Sequence, residues 1–331
     1  MPYKERIKKG QERKRKKPDY RVTNAPAYNL SLKKRGMISL YFPGGDLKSQ
    51  FINDTPYVKG VSGREPSYKE GYIELIYTFY RLHGWGIRQI TGFMEDYWAT
   101  CGLAIPVPSF GHLSDRFAEL NITVKQRCRR LAKRLAKGEA VDILIDSSGL
   151  SFGRASQWYE VKYGKKASVT PWRKMHLSID PEMNVHGIAI TDTAVSDSKG
   201  MDLVMPVDVQ VAKVIADGAY YSIERGEALF TAGVLPVIPP PVHAIVHGKN
   251  DTIWHDQIVQ YIKDKSVYAF HKRYGYGQRS LVESQISRIK RCIGSTLLTQ
   301  KIESQQSEGV IIANIINLWN SFGRPISVKN A

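Results

Sequence analysis

VDILIDSSGL, at residues 141–150, is the stretch that decides the fold class. Aliphatic residues fill most of the positions before Asp146, which predicts a buried strand that ends in Asp146. VAKVIADGAYYS, at 211–222, repeats the pattern and predicts a second buried strand, which ends at Asp217. A carboxylate at the end of a central strand is held rigidly at the edge of a sheet, and the small residue after it lets another backbone approach closely. Both aspartates are therefore candidate site residues.

The segments around these two strands complete an α/β pattern. Residues 174–180 and 185–191 flank the turn PEMN and predict an antiparallel hairpin. Apolar periodicity and capping residues predict the remaining elements, which are short strands at 234–238 and 266–270 and helices at 199–207, 222–233, 254–264, from 279 onward and 304–322. Strands followed by helices predict an α/β or α+β domain with one mixed sheet flanked by helices, and we take α/β as the fold class.

A third acid lies in YGYGQRSLVESQISRIKR, at 274–291. At 100° per residue, the apolar side chains of this segment fall on one face, which we expect to dock on a core. A second face sets Glu283 between Arg279 and Lys290, with Tyr276 close by. One acid among phosphate-binding groups suggests a metal site on a nucleic-acid surface. An ordinary surface helix with salt bridges four residues apart gives the same pattern.

Asp146, Asp217 and Glu283 thus come from three separate elements. Three hard oxygen ligands suit Mg²⁺ or Mn²⁺, and two such ions can clamp the attacking and leaving oxygens of a phosphoryl transfer. Two plain alternatives stay open, since Asp146 could be a strand-end turn former and Asp217 could belong to an Asp-Gly turn.

The net charge of +17 is concentrated in two blocks. Residues 1–22 and residues 121–137 each carry an excess of basic over acidic side chains, while the rest of the chain is close to neutral. Such blocks indicate a polyanion as partner, nucleic acid before membrane. No apolar run reaches the length of a membrane span, no secretory signal begins the chain, and the three cysteines lie far apart. We therefore expect a cytoplasmic, nucleoid-associated protein with reduced thiols.

The segment before residue 139 reads as mainly helical. We expect a helix at 28–35 closed by Gly36, a strand at 37–42, a helix begun by a capping box at Ser67 and Glu70, and further helices at 87–98 and after Ser109. Three short helices before a basic segment resemble a helix-turn-helix, with His112 and Arg116 as groove-facing candidates. A structural helical cap without base contacts is the alternative.

Residues 122–137 predict one amphipathic helix that Gly138 ends. A purely solvated face would repel itself at this charge density, so we expect contacts with the phosphate backbone of double-stranded DNA. The cations expected to make them are Lys125, Arg127, Arg129, Arg130, Lys133 and Arg134.

Tyr276-x2-Arg279-x3-Glu283-x6-Lys290 resembles the Y-R-E-K signature of bacterial insertion-sequence transposases. The blocks ILIDSSGL and VIADGAYYS look like those that carry the first and second acids of the same enzymes. The segments at 28–42 and 86–116 are similar to the N-terminal region of the insertion-sequence-five family. The likeness covers about residues 25–320. It departs at VIPPPVHA (237–244), where the family leads us to expect a basic residue after the prolines.

The resemblance implies an RNase H-like domain with a DDE triad, Asp146, Asp217 and Glu283, that holds two Mg²⁺ or Mn²⁺ ions. It implies cleavage at the terminal inverted repeats of a mobile element and joining of the 3′-hydroxyl ends to target DNA. Tyr276, Arg279 and Lys290 are then expected to hold DNA phosphates, and a homodimer is expected on paired ends.

The expected organisation is a disordered basic arm at 1–22, a helical DNA-binding domain at 23–138 and a catalytic domain at 139–331 with an insertion around 235–275. Two other readings stay open, an RNase H-superfamily nuclease without strand transfer and a catalytically inactive DNA-binding regulator. Two-carboxylate glycosidase chemistry would fit the acids but leaves the basic blocks unexplained.

Overall fold

A computed structural model describes residues 10, 19–53, 67–153 and 171–330. Most of the predicted basic arm, at 1–9 and 11–18, lies outside the described residues. In chain order the strands are β1 Tyr20–Val22, β2 Val141–Phe152, β3 Trp172–Ile179, β4 Val185–Thr191, β5 Val211–Ile215, β6 Leu235–Val237, β7 Thr296–Leu297 and β8 Ser327–Lys329. The α-helices are α1 Ala25–Arg35, α2 Leu47–Phe51, α3 Glu70–His83, α4 Ile87–Thr100, α5 Phe110–Glu119, α6 Arg129–Leu135, α7 Asp197–Val204, α8 Ile223–Thr231, α9 Ile253–Lys265, α10 Val267–Tyr274, α11 Ser280–Cys292 and α12 Ile302–Phe322.

The chain forms two compact units, one of residues 1–40 with 322–331 and one of residues 41–321. In the smaller unit, β1 and β8 pair as an antiparallel ribbon. Asn24 fastens the ribbon to α1, because its amide donates to Arg324 O and its carbonyl accepts from Ile326 N.

The larger unit is built on a mixed sheet with the strand order β4-β3-β2-β5-β6, and β7 pairs with the far end of β2. The strand β3 is antiparallel to β2 and β4, whereas β5 and β6 run parallel to β2. The predicted mixed α/β architecture is confirmed, and it is compatible with an RNase H-like domain.

The alternation of side chains along β2 separates two cores. Ile143 and Ile145 face a cluster that Leu131 of α6 and Met201 of α7 complete. The opposite face carries Leu144 and Asp146, and helices α11 and α12 cover it. A Cβ at Gly309 of α12 would lie 2.8 Å from Ile190 Cγ1, so α12 packs directly against β4.

Helix α3 is anchored to this unit by a buried ion pair. Arg81 Nη1 lies 3.1 Å from Glu308 Oε1, and neither side chain is more than 2% exposed. Arg81 also donates to Thr296 O, while Glu308 accepts from Thr299 N and Thr299 Oγ1. The pair therefore ties α3, β7 and α12 together across more than two hundred residues of sequence.

The predicted helix at 122–137 is wrong over its first half, since only α6 forms. Backbone polar groups of the preceding segment bond instead to side-chain amides of α12, because Lys125 N donates to Asn314 Oδ1 and Asn317 Nδ2 donates to Lys125 O. The β-branched run Ile122–Thr123–Val124 disfavours a helix at that point, which agrees with the extended course.

Four other local predictions need correction. Residues 37–42 form a 3-10 turn at Ile38–Tyr41 rather than a strand, and residues 266–270 enter α10, whose first turn Ser266 caps by accepting from Ala269 N. Gly36 has φ −93°, so it is not a left-handed C-terminal glycine. Helix α3 begins without a capping box, since Lys69 occupies the N-cap position. Ser109 does cap α5 as predicted.

Among the described residues, no helix is both long and apolar enough to cross a bilayer.

Candidate functional site

The parallel pairing of β2 with β5 aligns the two aspartates. Leu144 is the register partner of Ile215, and Asp146 and Asp217 each lie two residues further along. The expectation that β2 ends in Asp146 is wrong, because β2 continues to Phe152 through its pairing with β3. Asp146 nevertheless lies just past the point where β5 stops pairing with β2. The strand β5 ends at Ile215, two residues before the expected end at Asp217. Asp217 instead caps the 3-10 turn Gly218–Tyr220, and its Oδ1 accepts from Ala219 N at 2.8 Å.

Glu283 comes from the first turn of α11, on the side of the sheet that Asp146 faces. Val282, Ile286 and Ile289 bury the opposite side of this helix, as its periodicity predicts. The helix expected from residue 279 begins at Ser280, and a 3-10 turn, Tyr276–Arg279, runs into it. Arg279 at the end of that turn is only 9% exposed.

Arg279 connects two of the three acids. Its Nη1 lies 3.6 Å from Asp146 Oδ2, and its Nη2 donates to Glu283 Oε1. Burial raises the pKa of Asp146, and the nearby carboxylates of Asp217 and Glu283 add to the rise. The Ser147 N–H and the Arg279 guanidinium oppose it. Arg279 thus holds Asp146 and Glu283 on one guanidinium, and Asp217 lies near enough to raise the pKa of Asp146.

Tyr276 and Lys290 lie on the same surface. The Tyr276 ring centroid is 6.0 Å from the Arg279 guanidinium carbon, and the ring stacks on His271. Burial raises the pKa of Tyr276. Lys290 Nζ donates to Ser148 Oγ at 2.7 Å, and Ser148 shares a strand face with Asp146. All four residues of the Y-R-E-K pattern therefore border the Asp146 side of β2.

A hydrogen-bonded group behind Asp146 was not predicted from the sequence. Ser147 N donates to Asp146 Oδ1, and Ser147 Oγ donates to Asp197 Oδ1 at 2.7 Å on the other face of the sheet. Lys174 Nζ lies 2.8 Å from the same Asp197 oxygen. The signals in the sequence are the pair of serines directly after Asp146 and the position of Asp197 soon after the hairpin.

The cations expected on the N-terminal side are partly engaged within the protein. Lys125 pairs with Glu74, and Arg130 and Arg134 both pair with Glu182. The exposed His112 ring packs edge-on against Tyr68, and Arg116 lies 3.6 Å from Glu119. A groove of about 330 Å³ on α6 is lined by cations alone, namely Arg129, Arg130, Lys133, Arg134 and Lys137. Arg127 lies just before α6.

Carboxylate oxygens are the donors that Mg²⁺ and Mn²⁺ prefer, so the chemistry of Asp146, Asp217 and Glu283 fits a divalent ion. In the described part of the chain, no three His, Cys, Asp or Glu side chains are already placed to hold one. Two of the three candidate carboxylates are engaged with Arg279 instead.

Comparison with known families gives a direct result. Two family models, both described as Transposase DDE domain, match the chain, one at residues 137–318 and the other at residues 33–154. The first covers more than half of the 331 residues and includes all three candidate acids. No solved structure matches the chain.

Proposed function

The chain belongs to the family of transposase DDE domains, and from that premise we propose that it cuts and rejoins DNA at the ends of its own mobile element. The proposed reaction is binding of the terminal inverted repeats, cleavage at the element ends and joining of the freed 3′-hydroxyls to target DNA. The Y-R-E-K spacing supports placement with the bacterial insertion-sequence-five transposases. Divalent metal ions are general in this family.

Asp146, Asp217 and Glu283 are the residues we propose to hold two Mg²⁺ or Mn²⁺ ions. Such ions, when bound, stabilise the charge that develops on the attacking and leaving oxygens of a phosphoryl transfer. The observation that carries this assignment is the approach of Arg279 to both Asp146 and Glu283, since it brings acids from β2 and α11 to one point.

The protein's own residues then supply positioning. The Arg279 guanidinium can donate to two oxygens of one DNA phosphate. Lys290 contributes a point charge near the phosphate, and the Tyr276 hydroxyl donates one hydrogen bond to it. The Ser147–Asp197–Lys174 group fixes the backbone that carries Asp146. The cationic groove on α6 supports a further contact with the DNA backbone, and two copies of the chain are proposed to act on paired ends.

The test uses duplex DNA with the element end, taken from the inverted repeats that flank the coding region, together with Mg²⁺ and a supercoiled target. We expect the wild-type chain to cut the end and to join it to the target. Glu283→Gln should lose about a thousandfold in cleavage rate, because metal ligation is worth several kcal/mol of transition-state stabilisation. Glu224→Gln, the same change at an exposed position of α8, is the matched control.

The outcomes separate the alternatives. Cleavage without joining would identify a nuclease of the same superfamily. Specific binding of the ends without any cleavage would identify a regulator. Cleavage by Glu283→Gln at the wild-type rate would remove the catalytic assignment.

A further inference from the structure

Arg279 is the most constrained cation of the site. Its guanidinium contacts Asp146 on β2 and Glu283 on α11, and its side chain is 11% exposed. The Tyr276 ring lies on the same group at 6.0 Å. Arginine keeps its charge at any physiological pH, so this contact places a permanent positive charge between two carboxylates.

That charge has a clear electrostatic role in the DNA-free chain. Asp146, Asp217 and Glu283 would repel one another if no cation lay among them. The guanidinium therefore does for the free protein part of what a divalent ion would do.

Arg279 and a divalent ion compete for the same oxygens. Mg²⁺ requires ligand oxygens at about 2.0–2.1 Å in a nearly octahedral shell, and a guanidinium that is hydrogen-bonded to Glu283 and ion-paired with Asp146 occupies the space of that shell. The ion also repels the guanidinium at close range. This competition agrees with the finding that no three suitable side chains in the described residues are placed to hold a metal.

Lys290 provides the contrast. It lies on the same face of β2, but its amine donates to the hydroxyl of Ser148 at 2.7 Å rather than to a carboxylate. Substitution of Lys290 therefore removes one positive charge from this surface, as substitution of Arg279 does, but it breaks no contact with Asp146, Asp217 or Glu283.

We propose that Arg279 is an internal counter-ion that blocks metal binding until a DNA phosphate draws it away from Asp146 and Glu283. This inference rests on the proposed function. A phosphate offers Arg279 two acceptor oxygens, so the exchange replaces its hydrogen bond to Glu283 and its ion pair with Asp146. Metal loading and DNA binding are then coupled, and each raises the affinity for the other by the same factor. The free enzyme is held without its ions until substrate arrives.

The experiment measures Mn²⁺ binding by electron paramagnetic resonance, using the full chain with and without a duplex oligonucleotide of unrelated sequence. For the wild type we expect weak Mn²⁺ binding that DNA strengthens about tenfold or more, within the usual range of such couplings. Arg279→Gln should bind Mn²⁺ about tenfold more tightly than the wild type without DNA, and DNA should add little. Without DNA, Lys290→Gln should bind Mn²⁺ as weakly as the wild type does, because Lys290 contacts Ser148 and none of the three acids.

Arg279→Lys keeps the charge and tests the same idea in a second way. We expect it to bind Mn²⁺ as weakly as the wild type and to respond to DNA. If a thermal melt shows that Arg279→Gln does not fold, the Arg279→Lys variant takes its place as the test of the proposal. In that case, tight Mn²⁺ binding by Arg279→Lys without DNA would overturn the proposal, because the charge alone should suffice to block the ion.

Equal Mn²⁺ affinities for Arg279→Gln, Lys290→Gln and the wild type would also overturn it. That failure is distinct from failure of the proposed function. If Glu283→Gln still abolishes both Mn²⁺ binding and cleavage, the acids keep their role and only the counter-ion role of Arg279 is lost.

Discussion

Arg81→Met should destabilise the larger unit severely, because it leaves the carboxylate of Glu308 buried without its counter-charge. Glu308 is 0% exposed, and removal of one partner from such a pair costs about 3–5 kcal/mol. The carbonyls of Thr296 and Gly294 also lose their donor, at about 1 kcal/mol each. The total is about 5–7 kcal/mol, a large part of the 5–15 kcal/mol by which a domain is usually stable. Urea denaturation followed by tryptophan fluorescence measures it.

The same substitution at a surface pair provides the control. Arg225 pairs with Asp202 where both side chains are about a third or more exposed, so Arg225→Met should cost about 0–1 kcal/mol. The reasoning is refuted if Arg81→Met costs no more than Arg225→Met does.

A pH series sharpens this test. Burial raises the pKa of Glu308 above its ordinary 4.5, and Arg81 opposes that rise, so the pKa should climb further in Arg81→Met. A group whose folded pKa is raised stabilises most below its unfolded pKa, and that contribution is lost as the pH rises through the folded value. The deficit of Arg81→Met relative to wild type should therefore shrink as the pH falls from 7 towards 4.5. The double variant Arg81→Met/Glu308→Gln should recover part of the loss at neutral pH.

Three further predictions concern packing, pH and DNA affinity. A Cβ at Gly200 would lie 2.0 Å from His176 Nδ1, so Gly200→Ala should lower the free energy of unfolding, measured by urea denaturation, by about 1–3 kcal/mol or more. Gly92 has open space around it, so Gly92→Ala should raise the free energy of unfolding by about 0.5–1 kcal/mol. Burial raises the pKa of Asp180, but its hydrogen-bond partners lower that pKa below 3.8 overall. Asp180→Asn should therefore be less stable than the wild type at pH 7, and this difference in stability should vanish as the pH falls below 3.8. Deletion of residues 1–18 should weaken DNA binding and flatten its salt dependence, and an unchanged slope in a salt titration would remove the arm from the DNA contacts.

The regular periodic segments of the fold were predictable from the sequence. The hairpin at β3 and β4, the helix after Ser222 and the last helix follow from alternation, capping and apolar spacing. The structure of short apolar runs was not predictable. Over five residues, the spacing of apolar side chains does not distinguish a strand from a turn or a helix. The segment at 266–270 is helical because the Ser266 hydroxyl caps it. The segment at 122–128 is extended because Asn314 and Asn317, almost two hundred residues away, bind its backbone.

The candidate acids were chosen from the sequence and their catalytic role stays a prediction, whereas their immediate surroundings were not predictable. Strand-end position and fixed spacing pointed to Asp146, Asp217 and Glu283 before any coordinates. The contact of Arg279 with both Asp146 and Glu283 depends on how the turn before α11 meets β2, and no local pattern encodes it. The Ser147–Asp197–Lys174 group was hidden for the same reason, because its members come from three elements.

Metal-specific rescue tests most directly the proposal that Asp146, Asp217 and Glu283 hold the metal ions together. Asp146→Cys, Asp217→Cys and Glu283→Cys each replace a hard oxygen donor by sulfur, which binds Mg²⁺ poorly and accepts softer ions better. Cleavage of the element end by each variant is measured in Mg²⁺ and in Mn²⁺. If the three side chains hold the catalytic ions, each variant should be inactive in Mg²⁺ and should regain cleavage in Mn²⁺. Cleavage at the wild-type rate in Mg²⁺ by any one of them would contradict the assignment.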